Sequence, residues 1–174
     1  MRQYTKVFKF WHFDALIMKR TKEALFFSFI VLALDQMTKY LAITYINPYD
    51  SLRIFPFLHL VLVTNKGAAF GMFKNMGSSF FIAASVVAII FVIYLLIKGK
   101  ENYLGLSLIL GGTIGNLTDR ILYGRVVDFI DLSIGRYHWP AFNIADSALS
   151  VGVMIILLTH LLKTPKTGRS AKQR

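Results

Sequence analysis

Four of the nine acidic residues of this chain, Asp119, Asp128, Asp131 and Asp146, fall within residues 111–146, together with Asn116, Arg120 and Asn143. The rest of the chain is largely hydrocarbon-like: 55% of all residues are hydrophobic, and the mean hydropathy is +0.54. Ionisable groups in such surroundings cost several kcal/mol unless they are paired or put to use. Two carboxylates at contact distance in a low dielectric cannot both ionise easily, so one keeps its proton. Such a pair can activate a water as nucleophile and protonate a leaving amine. Asp128 and Asp146 are the candidates. Asp128 stands among apolar neighbours in Val126-Val127-Asp128-Phe129, just past a long apolar run. Asp146 follows Asn143 by three residues, and Asn143 reads as the N-cap of a helix, which places Asp146 in its first turn. An outer loop of about 20 residues would let the two meet at the membrane boundary. The spacing leaves a second reading open, in which both aspartates cap helix ends or bind Arg120, Arg125 or Arg136.

The other polar positions read as supports. Asp35 and Lys39 are spaced i, i+4 and can neutralise each other on one helix face. Asn116 and Arg120 share that spacing, and Asp119 beside Arg120 is expected to form a pair with it. Asp131 is expected to be solvated. Gly111 and Gly115 make a GxxxG that admits a second helix backbone. The chain has no cysteine, which excludes a disulfide framework and a thiol nucleophile. Its four histidines lie far apart and form no paired metal motif, so no metal site is expected. There is no GxSxG around Ser133, Ser147 or Ser150, and His138 beside Trp139-Pro140 reads as an interfacial residue.

Four apolar runs, at 24–46, 78–97, 103–123 and 144–162, are long enough to cross a hydrocarbon core as helix. The expected fold is an all-α membrane protein of four transmembrane helices with a small extracytoplasmic β-structure. Lysines and arginines crowd before the first run, after the last and in the gap at 98–100, so both termini are expected in the cytoplasm. The net charge of +11 is thereby explained without nucleic acid, for which there is no binding motif. The chain divides into a basic, aromatic cytoplasmic segment at 1–23, a membrane domain at 24–163 and a basic tail at 164–174. Residues 1–22 are open to two readings, an amphipathic surface helix or a frayed tail. The outward connection contains a strand-like stretch at 51–65 and a glycine turn at 65–71, where Phe70 could anchor in the interface.

Five motifs occur in order: Asp35-Gln36-x-x-Lys39, Asn65-x-Gly67-Ala68-Ala69-Phe70-Gly71, Gly111-Gly112-x-x-Gly115-Asn116-x-x-Asp119-Arg120, Val126-Val127-Asp128-Phe129 and Phe142-Asn143-Ile144-Ala145-Asp146. Together they resemble bacterial lipoprotein signal peptidase (signal peptidase II) over residues 24–162. The resemblance implies a multi-pass aspartic endopeptidase of the cytoplasmic (inner) membrane, with its active site near the outer face and no cofactor; the chain is expected to be a monomer. Its substrates would be diacylglyceryl-modified prolipoproteins among the membrane lipids, cut just before the lipidated cysteine. Its inhibitors would be of the globomycin type. The implied catalytic residues are Asp128 and Asp146, supported by Asn116, Asp119, Arg120 and Asn143, with Asp35, Lys39, Asn65 and Gly67 on the remaining motifs. The longer segment at 1–22 and Lys66 depart from the pattern. A reading from another class is a small proton-coupled transporter with Asp35, Asp119 and Asp146 as relay groups. A bare GxxxG scaffold would explain neither Asp128 nor Asp146.

Overall fold

The computed structural model describes residues 2–67 and 76–162, with side-chain surroundings from residue 18 onward. The expectations for the side chains of 1–17, for Phe70 and Gly71, and for the tail at 164–174 lie outside the described residues. The chain runs α1 (Arg2–Tyr45), β1 (Leu52–Phe55), β2 (Leu58–Asn65), α2 (Gly77–Lys98), α3 (Tyr103–Tyr123), β3 (Val126–Ile134), β4 (Tyr137–His138) and α4 (Ile144–Leu162). The helix of the first apolar run starts not near residue 24 but at Arg2.

Among the described residues, three segments are long and apolar enough to cross a membrane: Met18–Tyr45, Gly77–Lys98 and Ile144–Leu162. The fourth expected crossing, α3, does not join them on this measure. It has 21 residues, but its glycines and its Asn116, Asp119 and Arg120 make it less apolar than those three segments. It is also the most buried, with α1, α2 and α4 packed around it. Asn102 caps its start by accepting hydrogen bonds from the Leu104 and Gly105 amides at 3.0 and 3.2 Å.

Small residues bring the neighbours of α3 close. A Cβ added at Gly111 would lie 2.6 Å from the Ser28 carbonyl oxygen of α1, and one at Gly115 would lie 2.5 Å from Asp35 Oδ2. Gly112 faces the other way, and a Cβ there would lie 2.5 Å from the Ala145 carbonyl oxygen of α4. The expected GxxxG contact therefore forms against α1, while the glycine between its two ends serves α4. Because the atom met at Gly112 is backbone, the helices must separate to admit a methyl group. Gly112→Ala is expected to destabilise the fold by about 1–3 kcal/mol, read as a lowered thermal unfolding temperature in detergent.

The sheet is antiparallel with order β1-β2-β3-β4. The strand reading of 51–65 holds, as a hairpin that turns at Pro56-Phe57. The stretch 126–134, read from sequence as part of an outer loop, is instead a nine-residue strand paired with β2. Val63 lies opposite Asp128, and Asn65 lies opposite Val126. Gly135 takes a left-handed φ of +63° to close the second hairpin. Asp131, expected to be solvated, is buried at 8% exposure, and its Oδ2 lies 2.8 Å from His138 Nδ1. Beneath the sheet, Phe129 packs with Ala42 and Ile46 at the end of α1. This seats β3 on the bundle and fixes the height of Asp128.

Candidate active site

The site is built on a buried ion cluster. Lys39 of α1, 2% exposed, lies 2.8 Å from Asp35 Oδ2 and 2.9 Å from Asp119 Oδ2. The i, i+4 pair read from sequence thus forms, but it recruits a second carboxylate. Asp119 does not pair with Arg120 as expected. Its Oδ2 also accepts the Val127 amide at 3.0 Å, and its Oδ1 accepts Gln36 Nε2 at 3.0 Å. Adjacent residues on a helix point about 100° apart, so Asp119 faces α1 while Arg120 faces the cavity. Asp35 Oδ1 accepts the Ala145 amide at 2.9 Å, tying α1 to the start of α4. The cluster therefore fixes the two segments that carry the candidate carboxylates: β3 through Val127 and α4 through Ala145.

Above it lie two asparagines. The third contact of the Lys39 ammonium is Asn116 Oδ1, at 3.0 Å. This orients the Asn116 amide so that its Nδ2 donates to Asp146 Oδ1 at 2.7 Å. Asn143 Nδ2 donates to Asp128 Oδ1 at 2.7 Å, with longer contacts to the Val127 carbonyl and Asn116 Oδ1. Asn143 Oδ1 accepts the Asp146 amide at 2.8 Å, which is the N-cap read from the sequence. Each candidate carboxylate thus has an amide donor on one oxygen. Gly115 holds α3 close beneath this layer, because any side chain there would collide with Asp35.

Asp128 and Asp146 both line a cavity of about 1210 Å³, as do Asn65, Gly67, Asn116 and Arg120. Asp35, Lys39, Asp119 and Asn143 lie behind the wall instead. Asp128 is only 2% exposed. Burial raises its carboxyl from the ordinary 3.8 to about 7, and the Asp146 charge adds to the rise. Hydrogen bonds from Asn143 and Asn65 and the Lys39 charge oppose it. Arg120 Nη1 donates to the Asn116 carbonyl at 3.3 Å and Nη2 to the Gly67 carbonyl at 3.2 Å. Asn65 Oδ1 accepts the Gly67 amide at 2.9 Å, closing a tight turn at the cavity rim. Among the described residues, no three His, Asp or Glu side chains converge as metal ligands.

Sequence reasoning passed over Gln36. It lay inside the first motif, but Gln at a helix position carries no signal of its own. Its Nε2 bridges Asp119, Asp35 at 3.1 Å and the Gly115 carbonyl at 3.2 Å. Trp139, Pro140 and Phe142, which wall the cavity, were likewise unassigned.

Two aspartates facing one cavity beside apolar, membrane-length helices, one of them with its carboxyl raised to near 7, are an arrangement suited to a membrane aspartic peptidase. Residues 27–162 match the family model described as signal peptidase (SPase) II. The chain belongs to the signal peptidase II family. It is 48% identical to the lipoprotein signal peptidase of Thermodesulfovibrio yellowstonii over 135 residues, which is 78% of this chain and 92% of that protein. It is 44% identical to the lipoprotein signal peptidase of Francisella tularensis subsp. mediasiatica over 146 residues, 79% of this chain and 91% of that one. A solved bacterial membrane enzyme superimposes with TM-score 0.77 at 34% identity, covering 87% of this chain and 95% of its own. A second does so with TM-score 0.73 at 37% identity, covering 83% and 95%. These likenesses give the transporter reading no support, and Asp35 and Asp119 are locked around Lys39 rather than lined along a path.

Proposed function

We propose that this chain removes the signal peptide from prolipoproteins in the inner membrane, with Asp128 and Asp146 as its catalytic pair. The observation that carries the assignment is the setting of the two carboxylates, with Asn143 donating to Asp128, Asn116 donating to Asp146, and both aspartates facing the same cavity. The pair shares one proton. The ionised member takes a proton from water, and the hydroxide equivalent attacks the scissile carbonyl carbon. The protonated member hydrogen-bonds the carbonyl oxygen as charge develops there. Collapse breaks the C–N bond, and a proton passes from the pair to the leaving amine. Asn116 and Asn143 hold the carboxylates in register. Arg120, with Asn65 and Gly67 at the rim, holds the peptide backbone beside them. Asp35, Lys39 and Asp119 support the site from below and do not meet substrate.

The same reading carries the topology. α3 is a fourth crossing, tolerated in the membrane because its polar groups are satisfied by α1, β3 and α4. Both termini are cytoplasmic, and the sheet and cavity lie at the outer face. The peptidase domain spans 24–163, flanked by basic cytoplasmic segments at 1–23 and 164–174, and it acts as a monomer. The cavity accepts a diacylglyceryl-modified cysteine from the side, with the acyl chains left in the bilayer, and a globomycin-type cyclic peptide would compete for it.

Purified protein in detergent is expected to cut a prolipoprotein before its diacylglyceryl cysteine and to leave the same precursor intact when unmodified. Equal cutting of both would refute the lipid requirement. Because the Asp128 carboxyl is raised to about 7, the pair keeps its proton below that pH and loses it above. The turnover rate is therefore expected to fall along a basic limb with an apparent pKa near 7. A rate that stays flat to pH 9 would separate Asp128 from the proton-transfer steps.

A further inference from the structure

Phe81 lies on α2, within the apolar run that the sequence reads as a membrane crossing. The structure sets its ring against the site. The guanidinium carbon of Arg120 lies 5.0 Å from the ring centroid. Ser85, one turn further along α2, lines the cavity, so this face of α2 looks inward. Phe80 meets Phe81 edge to face, with centroids 5.3 Å apart and planes at 83°, which fixes the attitude of the Phe81 ring.

We propose that Phe81 is a positioning residue of the peptidase, a platform that carries the Arg120 guanidinium at the cavity wall. This rests on the reading of Arg120 as a group that holds the substrate backbone. The hydrogen bonds of Arg120 to the Asn116 and Gly67 carbonyls are long, 3.3 and 3.2 Å, and do not by themselves fix its plane. No ion pair within 4.0 Å holds it among the described residues, since Asp119 is engaged by Lys39. A ring face attracts the cation through its quadrupole without consuming any N–H. It therefore restrains the guanidinium and leaves the remaining N–H edges for an incoming peptide carbonyl. An aliphatic side chain of similar volume would fill the space but leave the cation without this partner. The restraint also reaches the catalytic layer. Arg120 holds Gly67, the Gly67 amide binds Asn65, and Asn65 hydrogen-bonds Asp128.

The test keeps the ring's shape and removes its charge distribution. Fluorinated phenylalanines of increasing substitution are placed at position 81 of the full-length protein, and cleavage of a diacylglyceryl prolipoprotein is measured. The rate is expected to fall stepwise with each fluorine, reaching about tenfold at the most depleted ring, with thermal unfolding unchanged. On an Arg120→Gln background, whose residual cleavage is followed over longer incubation, the series is expected to be flat. A flat series in the parent protein overturns the proposal. An equal fall on both backgrounds also overturns it, because the ring would then act through packing alone. Full activity of Arg120→Ala removes the reading of Arg120 itself, whatever the fluorine series shows.

Discussion

Replacing either Asp128 or Asp146 by Asn is expected to lower turnover by at least about 10⁴-fold, the scale seen when one member of a catalytic unit is lost. The two losses should not add in the double variant, because a pair that shares one proton fails as a unit. The substitution is close to isosteric, and each asparagine can still accept the bond its aspartate received from Asn143 or Asn116. The fold should therefore survive, and for Asp128→Asn it should gain. The Asp128 carboxyl has a folded value near 7 against an ordinary 3.8. The folded state thus binds the proton more tightly than the unfolded state, and the stability this contributes is lost as pH rises through 7. Above that pH the wild type carries a buried charge that Asp128→Asn lacks. The variant should unfold at a higher temperature than wild type at pH 8 and at nearly the same temperature at pH 4. The difference is on the order of a few kcal/mol, lessened by the opening of the site to the cavity. A variant at either position that is folded yet cuts at near-normal rate would break the pair assignment, and the other carboxylate-rich positions would have to be reconsidered.

The helices were legible because hydropathy acts over long windows and needs no knowledge of neighbours. The N-cap at Asn143 was legible for the opposite reason, since a cap is set within three residues. What the sequence hid was non-local. β3 pairs with a strand about 70 residues earlier, and its run Val126-Val127-Asp128-Phe129-Ile130 carries no period-2 pattern because both faces are covered. Asp131 looked solvated for the same reason: its neighbour His138 arrives only through the β3–β4 hairpin. The mistaken Asp119–Arg120 pair came from weighing adjacency over helical phase. One hundred degrees of rotation hands Asp119 to Lys39 and Arg120 to Gly67 and Phe81. Gln36 shows the limit from the other side. Its three partners lie on α1 and α3, and no local rule marks a glutamine as the bridge between them.

Lys39→Met is expected to be the most damaging single change to the fold. It leaves Asp35 and Asp119 buried, at 0% and 1% exposure, with no cation between them. Removing one partner of a buried ionic cluster costs about 3–5 kcal/mol, and here two like charges are left facing each other. Arginine should not rescue, because its wider planar fork would have to replace a compact ammonium buried at 2% exposure among Asp35, Asp119 and Asn116. The double variant Lys39→Met/Asp119→Asn should recover part of the loss, since one carboxylate then goes with the cation. Thermal unfolding of the three proteins in the same detergent reads this directly. Recovery in the double variant marks the loss as electrostatic, whereas an equal or deeper loss would mark it as lost packing around the lysine stem. Activity separates from stability at this point. Without the ammonium, Asn116 Oδ1 keeps only its longer 3.3 Å contact with Asn143 Nδ2, so the amide is held less firmly with Nδ2 toward Asp146, and a flipped amide would present oxygen to a carboxylate. The folded double variant is therefore expected to cut more slowly than its recovered stability would suggest. Lys39 acts on the reaction through Asn116 as well as holding α1 against α3.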